Sequence, residues 1–168
     1  MSKTKKTVLS GLVIAMYVVI MYATQSFAFG QYQIRLATSL YSLSYLFPFM
    51  VLPLSLANCL SNIIGGSIWD IAGGFFAGLV TSGSIYLIRR FKLPKLLIIP
   101  VIILGPGLIV PIWLSFILNL PYYALAVSLC IGQIIPGILG FALVNALEKI
   151  NKDDNNKEGG SDEYKQRQ

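Results

Sequence analysis

Between Val8 and Leu147 the chain is a near-continuous series of apolar runs in which Asp70 is the only acidic residue. Runs of about 20 apolar residues cross a bilayer as helices, and this stretch has room for six crossings joined by short loops. The whole chain agrees: its 168 residues are 55% hydrophobic and 12% charged, include no histidine, and have a mean hydropathy of +0.71. That is too apolar for a soluble domain of this length and reads as an all-α membrane protein. No Rossmann or other nucleotide-binding domain fits beside the spans, and the sequence has no G-x-x-x-x-G-K-[ST] phosphate loop. The net charge of +6 would suggest a nucleic-acid partner in a soluble chain. Here the basic residues flank apolar runs, where they set topology, so no nucleic-acid partner is implied. Cys59 and Cys130 lie inside apolar stretches as small packing residues and make no metal motif.

The first run, from Val8 to about Phe29, follows Lys3, Lys5 and Lys6. It loosely fits a signal peptide through Ser26-Phe27-Ala28, yet it exceeds the usual 7 to 15 apolar residues, and an uncleaved helix is the favoured reading. The second and third runs, Leu36 to Phe47 and Phe49 to Ile64, are separated by Pro48. As helices they reach only about 18 to 24 Å, which hints at irregular chain lining a pocket. Ser67 to Ile88 is the fourth span and ends in Arg89, Arg90, Lys92 and Lys95; Leu96 to Leu118, the fifth, carries Pro100, Pro106 and Pro111 and is expected to kink. Tyr122 to Leu147 is the sixth. Residues 1–149 then form one membrane domain of six helices, two of them short, and residues 150–168 a charged tail expected to be disordered. Twelve of the thirteen Lys and Arg residues fall on one side of this arrangement. The positive-inside rule makes that side the cytoplasm and places both termini there, in a multi-pass protein of the cell membrane.

The polar residues left inside the spans each have a bland and a functional reading. Arg35 is the exception to the one-sided charge; it either snorkels to the headgroups or forks onto a ligand at the outer mouth. Asp70 either caps the fourth span or offers a lone pair to a ligand, and an ion pair with Arg35 is a third possibility. Asn58 and Asn62 share a helix face one turn apart, and Gln133 stands three residues before Pro136, which deprives the Gly132 carbonyl of its helical donor. Amides at this depth are often glue between helices. Arg35, Asn62, Asp70 and Gln133 nevertheless cluster toward the outer half, which favours an outward-facing polar ligand pocket. Small residues recur every four positions as Gly11 and Ala15 in the first span and as Gly74, Gly78 and Ser82 in the fourth, a pattern for close helix contact within the chain or with a partner. The aromatic residues at span ends (Tyr32, Trp69, Trp113, Tyr122, Tyr123) read as interfacial belts. Tyr32 and Trp69 are the two placed to stack a flat ring. The spans hold no paired carboxylates, nucleophile–base pair or metal set, so the chain is not read as an enzyme and implies no cofactor.

The run GQYQIRLATSLYSLSYLFP, followed by LANCLSNIIGG, WDIAGG, the NLP turn and GQIIPGILGFALVNALEK, resembles the queuosine-precursor transporter (QueT) family over Val8 to Lys149. Members of that family are substrate-binding S components of energy-coupling-factor (ECF) ABC importers with six helices. The resemblance implies capture of a vitamin-like heterocycle outside and release driven by a transmembrane coupling protein and two ATPase subunits. It implies that Gly11 and Ala15 dock onto the coupling protein, and that the ligand is held by Arg35, Gln33, Asn62 and Asp70, which match the family. Thr38 and Gln133 stand where the family usually has Glu. These two positions offer only neutral hydrogen bonds, so the implied ligand is a neutral relative of the 7-deazaguanines or a molecule of similar size. The loop from Gly30 to Gln33 would close over it. The competing reading is a non-transporting membrane scaffold whose polar residues serve helix packing alone.

Overall fold

The computed structural model describes residues 1–30, 32–63 and 67–165, with side chains described through residue 152. The described residues are helical almost throughout, without strands. The helices are α1 (Lys3–Ala23), α2 (Gln25–Ala28), a 3₁₀ helix (Leu36–Ser42), α3 (Leu43–Leu46), α4 (Val51–Asn62), α5 (Ile68–Arg90), α6 (Ile98–Leu118), α7 (Tyr122–Gly132) and α8 (Ile134–Lys165). Among the described residues, four stretches are long and apolar enough to cross a bilayer: Lys3–Ala23, Ile68–Arg90, Lys95–Leu118 and Tyr122–Lys152.

The first apolar run is divided: α1 ends at Ala23, where the Thr24 hydroxyl bonds back to the Ile20 carbonyl, and α2 forms a separate turn. The second run begins as a 3₁₀ helix rather than an α-helix. Thr38 Oγ1 bonds the Arg35 carbonyl and Ser39 Oγ the Leu36 carbonyl, each three residues back. Such contacts compete with the i−4 ladder of an α-helix, and they accompany a 3₁₀ helix here. At about 2.0 Å per residue that helix rises only about 14 Å. It is also the most enclosed element, with Ala37, Thr38, Leu40, Tyr41 and Ser42 all buried among α1, α4, α5, α6 and α8.

α5 begins with a capping box in which Ser67 is the cap and Asp70 the third helical residue. α6 runs unbroken through Pro106 and Pro111 and closes on Asn119 in the left-handed region (φ 53°), which forms the turn into α7. The sixth run breaks at Gln133, between α7 and α8. Pro136 accounts for that break, since it has no N–H to give the Gly132 carbonyl. α8 continues past Lys149 and stays helical to Lys165, through the stretch that composition alone reads as a disordered tail.

The core holds Val13, Tyr17 and Met21 of α1 against Tyr41, Leu54, Ile85, Ile102 and Val144. Gly107 of α6 sits against Cys130 of α7, so that cysteine is a packing residue, as its apolar setting suggests. The two ends of the bundle differ. One carries the α5–α6 basic cluster, where Arg89 Nη1 donates to the Tyr45 and Leu46 carbonyls (2.9 and 2.8 Å) and Lys95 pairs with Glu148 at 2.6 Å. The other end gathers Arg35, Asn62, Asp70 and Gln133.

Candidate functional site

Arg35 is 3% exposed and donates from Nη1 to Asn62 Oδ1 at 3.2 Å. Its guanidinium carbon lies 5.3 Å from the centre of the Phe29 ring, a cation–π contact strengthened by exclusion of water. Among the described residues no carboxylate pairs with it, and its Nε is buried without a partner. The snorkelling reading is therefore overturned: this guanidinium points into protein. A buried cation lacking an acid partner costs several kcal/mol unless another acceptor meets it.

Asn62, fully buried, ties Arg35 to α5. Its Nδ2 donates to the Asp70 carbonyl at 2.8 Å, and one turn earlier Asn58 Nδ2 donates to the Gly74 carbonyl at 2.8 Å. The approach is so close that a Cβ on Gly74 would overlap the Asn62 amide. The pair of asparagines thus clamps α4 onto α5 while Asn62 also receives the guanidinium.

Thr38 and Gln133 meet 95 residues apart in sequence. Thr38 Oγ1 lies 2.7 Å from both the Arg35 carbonyl and Gln133 Oε1, sharing one proton between two acceptors, and Gln133 Nε2 donates to the Gln33 carbonyl at 3.1 Å. The chain next to Arg35 is thereby held against the α7–α8 break. Gly132 makes this possible, because a Cβ there would overlap the Tyr32 carbonyl. Gln33 takes the left-handed conformation (φ 44°) and is 8% exposed, with Oε1 lacking any partner.

The Asp70 carboxylate accepts from the Ser67 amide (3.0 Å) and hydroxyl (2.9 Å) on Oδ2, and from Trp113 Nε1 (2.9 Å) on Oδ1. It caps α5 as the sequence suggests, but its fixed partner is Trp113 and it forms no ion pair with Arg35. Gln33 and Asp70 line a pocket of about 490 Å³ together with Phe29, Gly30, Leu114 and Leu125.

Of the two expected stacking residues, Trp69 does not line this pocket. Trp69 is 64% exposed and lines a separate apolar groove with Ile112, Trp113, Phe116 and Ile117. Tyr32 is about half exposed and contributes its carbonyl to the Gly132 contact. Phe29 lines the pocket itself, and Trp113, on the same groove as Trp69, reaches the site through its bond to Asp70. Trp113 belongs to the span-end aromatics, and its role is invisible in sequence because Asp70 is 43 residues away. Gly11 and Ala15 lie on the exposed side of α1, and a Cβ on Gly11 would meet nothing within 4 Å.

The fold is thus a helical membrane bundle with a polar, partly unsatisfied cluster at the end away from its α5–α6 basic cluster. A family model described as QueT transporter matches residues 7–149. The chain belongs to the QueT transporter family, a family of transmembrane transport proteins. No match was found among curated proteins or among solved structures.

Proposed function

We propose that this chain is the substrate-binding S component of an ECF-type importer, capturing a small neutral heterocycle of the 7-deazaguanine kind outside the cell. The observation that carries the reading is the buried Arg35, with no carboxylate partner and an unpartnered Nε, two residues from Gln33 with its unpartnered buried Oε1. A donor and an acceptor left unsatisfied in a water-poor site fit a ligand that presents a carbonyl oxygen and a neighbouring N–H. Asp70 lines the pocket, and its Oδ1 keeps acceptor capacity beside the Trp113 bond. In this reading Arg35, Gln33, Asn62 and Asp70 face the ligand. Thr38 and Gln133 complete the site by fixing the chain that carries Arg35, and no carboxylate stands at either position to demand a cationic partner.

Six crossings follow if α2, the 3₁₀ helix with α3, and α4 complete the passages between the two ends that the four long stretches begin. The positive-inside rule then sets the basic end and both termini in the cytoplasm and the Arg35 end outside. The chain carries no phosphate loop, so energy comes from partners, a coupling protein and two ATPases. The open Gly11–Ala15 face of α1 supports docking of the coupling protein. Residues 150–168 serve as a solvated tail.

Native mass spectrometry of detergent-purified protein, followed by denaturing analysis of what it releases, tests the substrate directly. A 7-deazapurine is the expected result. Arg35→Ala and Arg35→Lys should both lose ligand retention by at least about tenfold, since Lys lacks the planar fork, while Arg35→Lys keeps a folded melting transition. Full retention in folded Arg35→Lys overturns the site, and a wild-type protein silent to every heterocycle offered favours the scaffold.

A further inference from the structure

We infer that Trp113 is a positioning residue of the ligand pocket: it aims the Asp70 carboxylate and walls the pocket off from the lipid-facing groove. The inference rests on the ligand-binding reading above. Asp70 Oδ2 is filled by the two donors of Ser67, so Oδ1 is the oxygen with capacity left, and it is the one Trp113 Nε1 grips at 2.9 Å. A carboxylate oxygen has two lone-pair sites, so one stays open after the indole bond. The pocket that Asp70 lines also receives Gln33, buried and with its Oε1 unpartnered. Asp70 and Gln33 stand on a wall whose other members are Phe29, Gly30, Ser67, Ile117 and leucines, which suits a flat ligand edge bearing N–H donors.

The indole is itself seated with little freedom. A Cβ on Gly73 would come within 2.5 to 2.7 Å of three of its ring atoms, so Gly73 is the floor on which the ring lies. On its far side, Trp113 lines the apolar groove of about 610 Å³ with Trp69, Phe116 and Ile117. Ile117 lines the pocket as well as the groove. The Asp70–Trp113 bond and Ile117 therefore form the partition between a polar site and the lipid side. Loss of the indole N–H would free the carboxylate to swing while leaving the ring volume in place.

Trp113→Phe keeps a ring on Gly73 and removes only the donor. With 7-deazaguanine as the probe, its affinity should fall about tenfold with little change in melting temperature. Asp70→Ala should also weaken binding, and Ser67 Oγ still caps α5 through the amide of residue 70. Adding Trp113→Phe to Asp70→Ala should change affinity less than twofold, because the indole acts through the carboxylate. Wild-type affinity in Trp113→Phe, or additive effects in the double variant, overturns the inference while the binding function stands. A ligand-free readout separates the two: in a Trp69→Phe background Trp113 is the single tryptophan, and Asp70→Ala should shift its emission maximum. An unshifted maximum removes the bond and the inference. A shifted maximum with no 7-deazaguanine bound by wild type keeps the Asp70–Trp113 pair and overturns both the ligand reading and the pocket role built on it.

Discussion

Two stripes of small residues at the same four-residue spacing have opposite fates. On α5, Gly74 meets the Asn62 amide and Gly78 lies against Ser55, where a Cβ would come 3.0 Å from the Ser55 Cα and 3.3 Å from the Tyr41 hydroxyl. Ser82 completes that stripe with hydrogen bonds to the Gly78 and Val51 carbonyls. On α1, Gly11 opens onto empty space and Ala15 is exposed, while Val13, Tyr17 and Met21 turn the other way into the core. Small-xxx-small spacing lets helices approach closely, but it does not say which helix comes. The α5 stripe is spent on building the Arg35 end. At Gly11 the α1 stripe meets no other part of the described chain.

The largest effect should come from Gly74→Ala. The added methyl displaces the Asn62 amide, which cannot move without releasing both the Asp70 carbonyl and Arg35. Overpacking and unpaired buried polar groups each cost about 1 to 3 kcal/mol, against a gain of up to about 1 kcal/mol in helix propensity. Thermal unfolding should show lower stability and a ligand-retention assay should show loss of binding. A variant that retains both would mean that the α5 stripe is not tied to the site.

Gly78→Ala is the sharper control. Its methyl presses on backbone rather than on the Arg35–Asn62 pair, so it should lower stability by about 1 kcal/mol and leave ligand affinity close to wild type. Equal loss of binding in both variants would show that general α4–α5 packing, rather than the Asn62 link, governs the site.

The smallest effect on the isolated protein should come from Gly11→Leu, which fills no occupied space and should raise stability by at most about 0.8 kcal/mol through helix propensity. Ligand binding should be unchanged. Co-purification with the coupling protein should nevertheless fall sharply, and undiminished co-purification would leave the α1 stripe without its proposed partner.

Much of the architecture was legible in the residues. Apolar runs, their basic flanks and the prolines located the long helices and the turn at Asn119, because desolvation of backbone and charge placement are local rules that act on every residue alike. The division of the sixth run at Gln133 was not among them, although Pro136 marked the Gly132 carbonyl. The polar cluster was legible as a list, since an ionisable or amide side chain in an apolar stretch must find a partner. Which partner it found was not. Arg35 as an anchor and an ion pair between Arg35 and Asp70 both fit the sequence, and the structure has neither; Trp69 fits as a stacking ring, and the structure sets it in a separate apolar groove.

The sequence by itself determined a membrane-embedded helical chain of the QueT transporter family with a few polar groups stranded toward one end. Only the tertiary structure decided that Arg35 turns inward to Asn62, that Thr38 and Gln133 hold the chain beside it across 95 residues, and that Trp113 takes Asp70. The physical reason is range. Hydropathy and helix signals arise within a few residues, whereas a buried donor's acceptor is chosen by which helix faces it, and that is fixed by close contacts such as those at Gly74 and Gly132, whose importance appears only when the opposing backbone is in place.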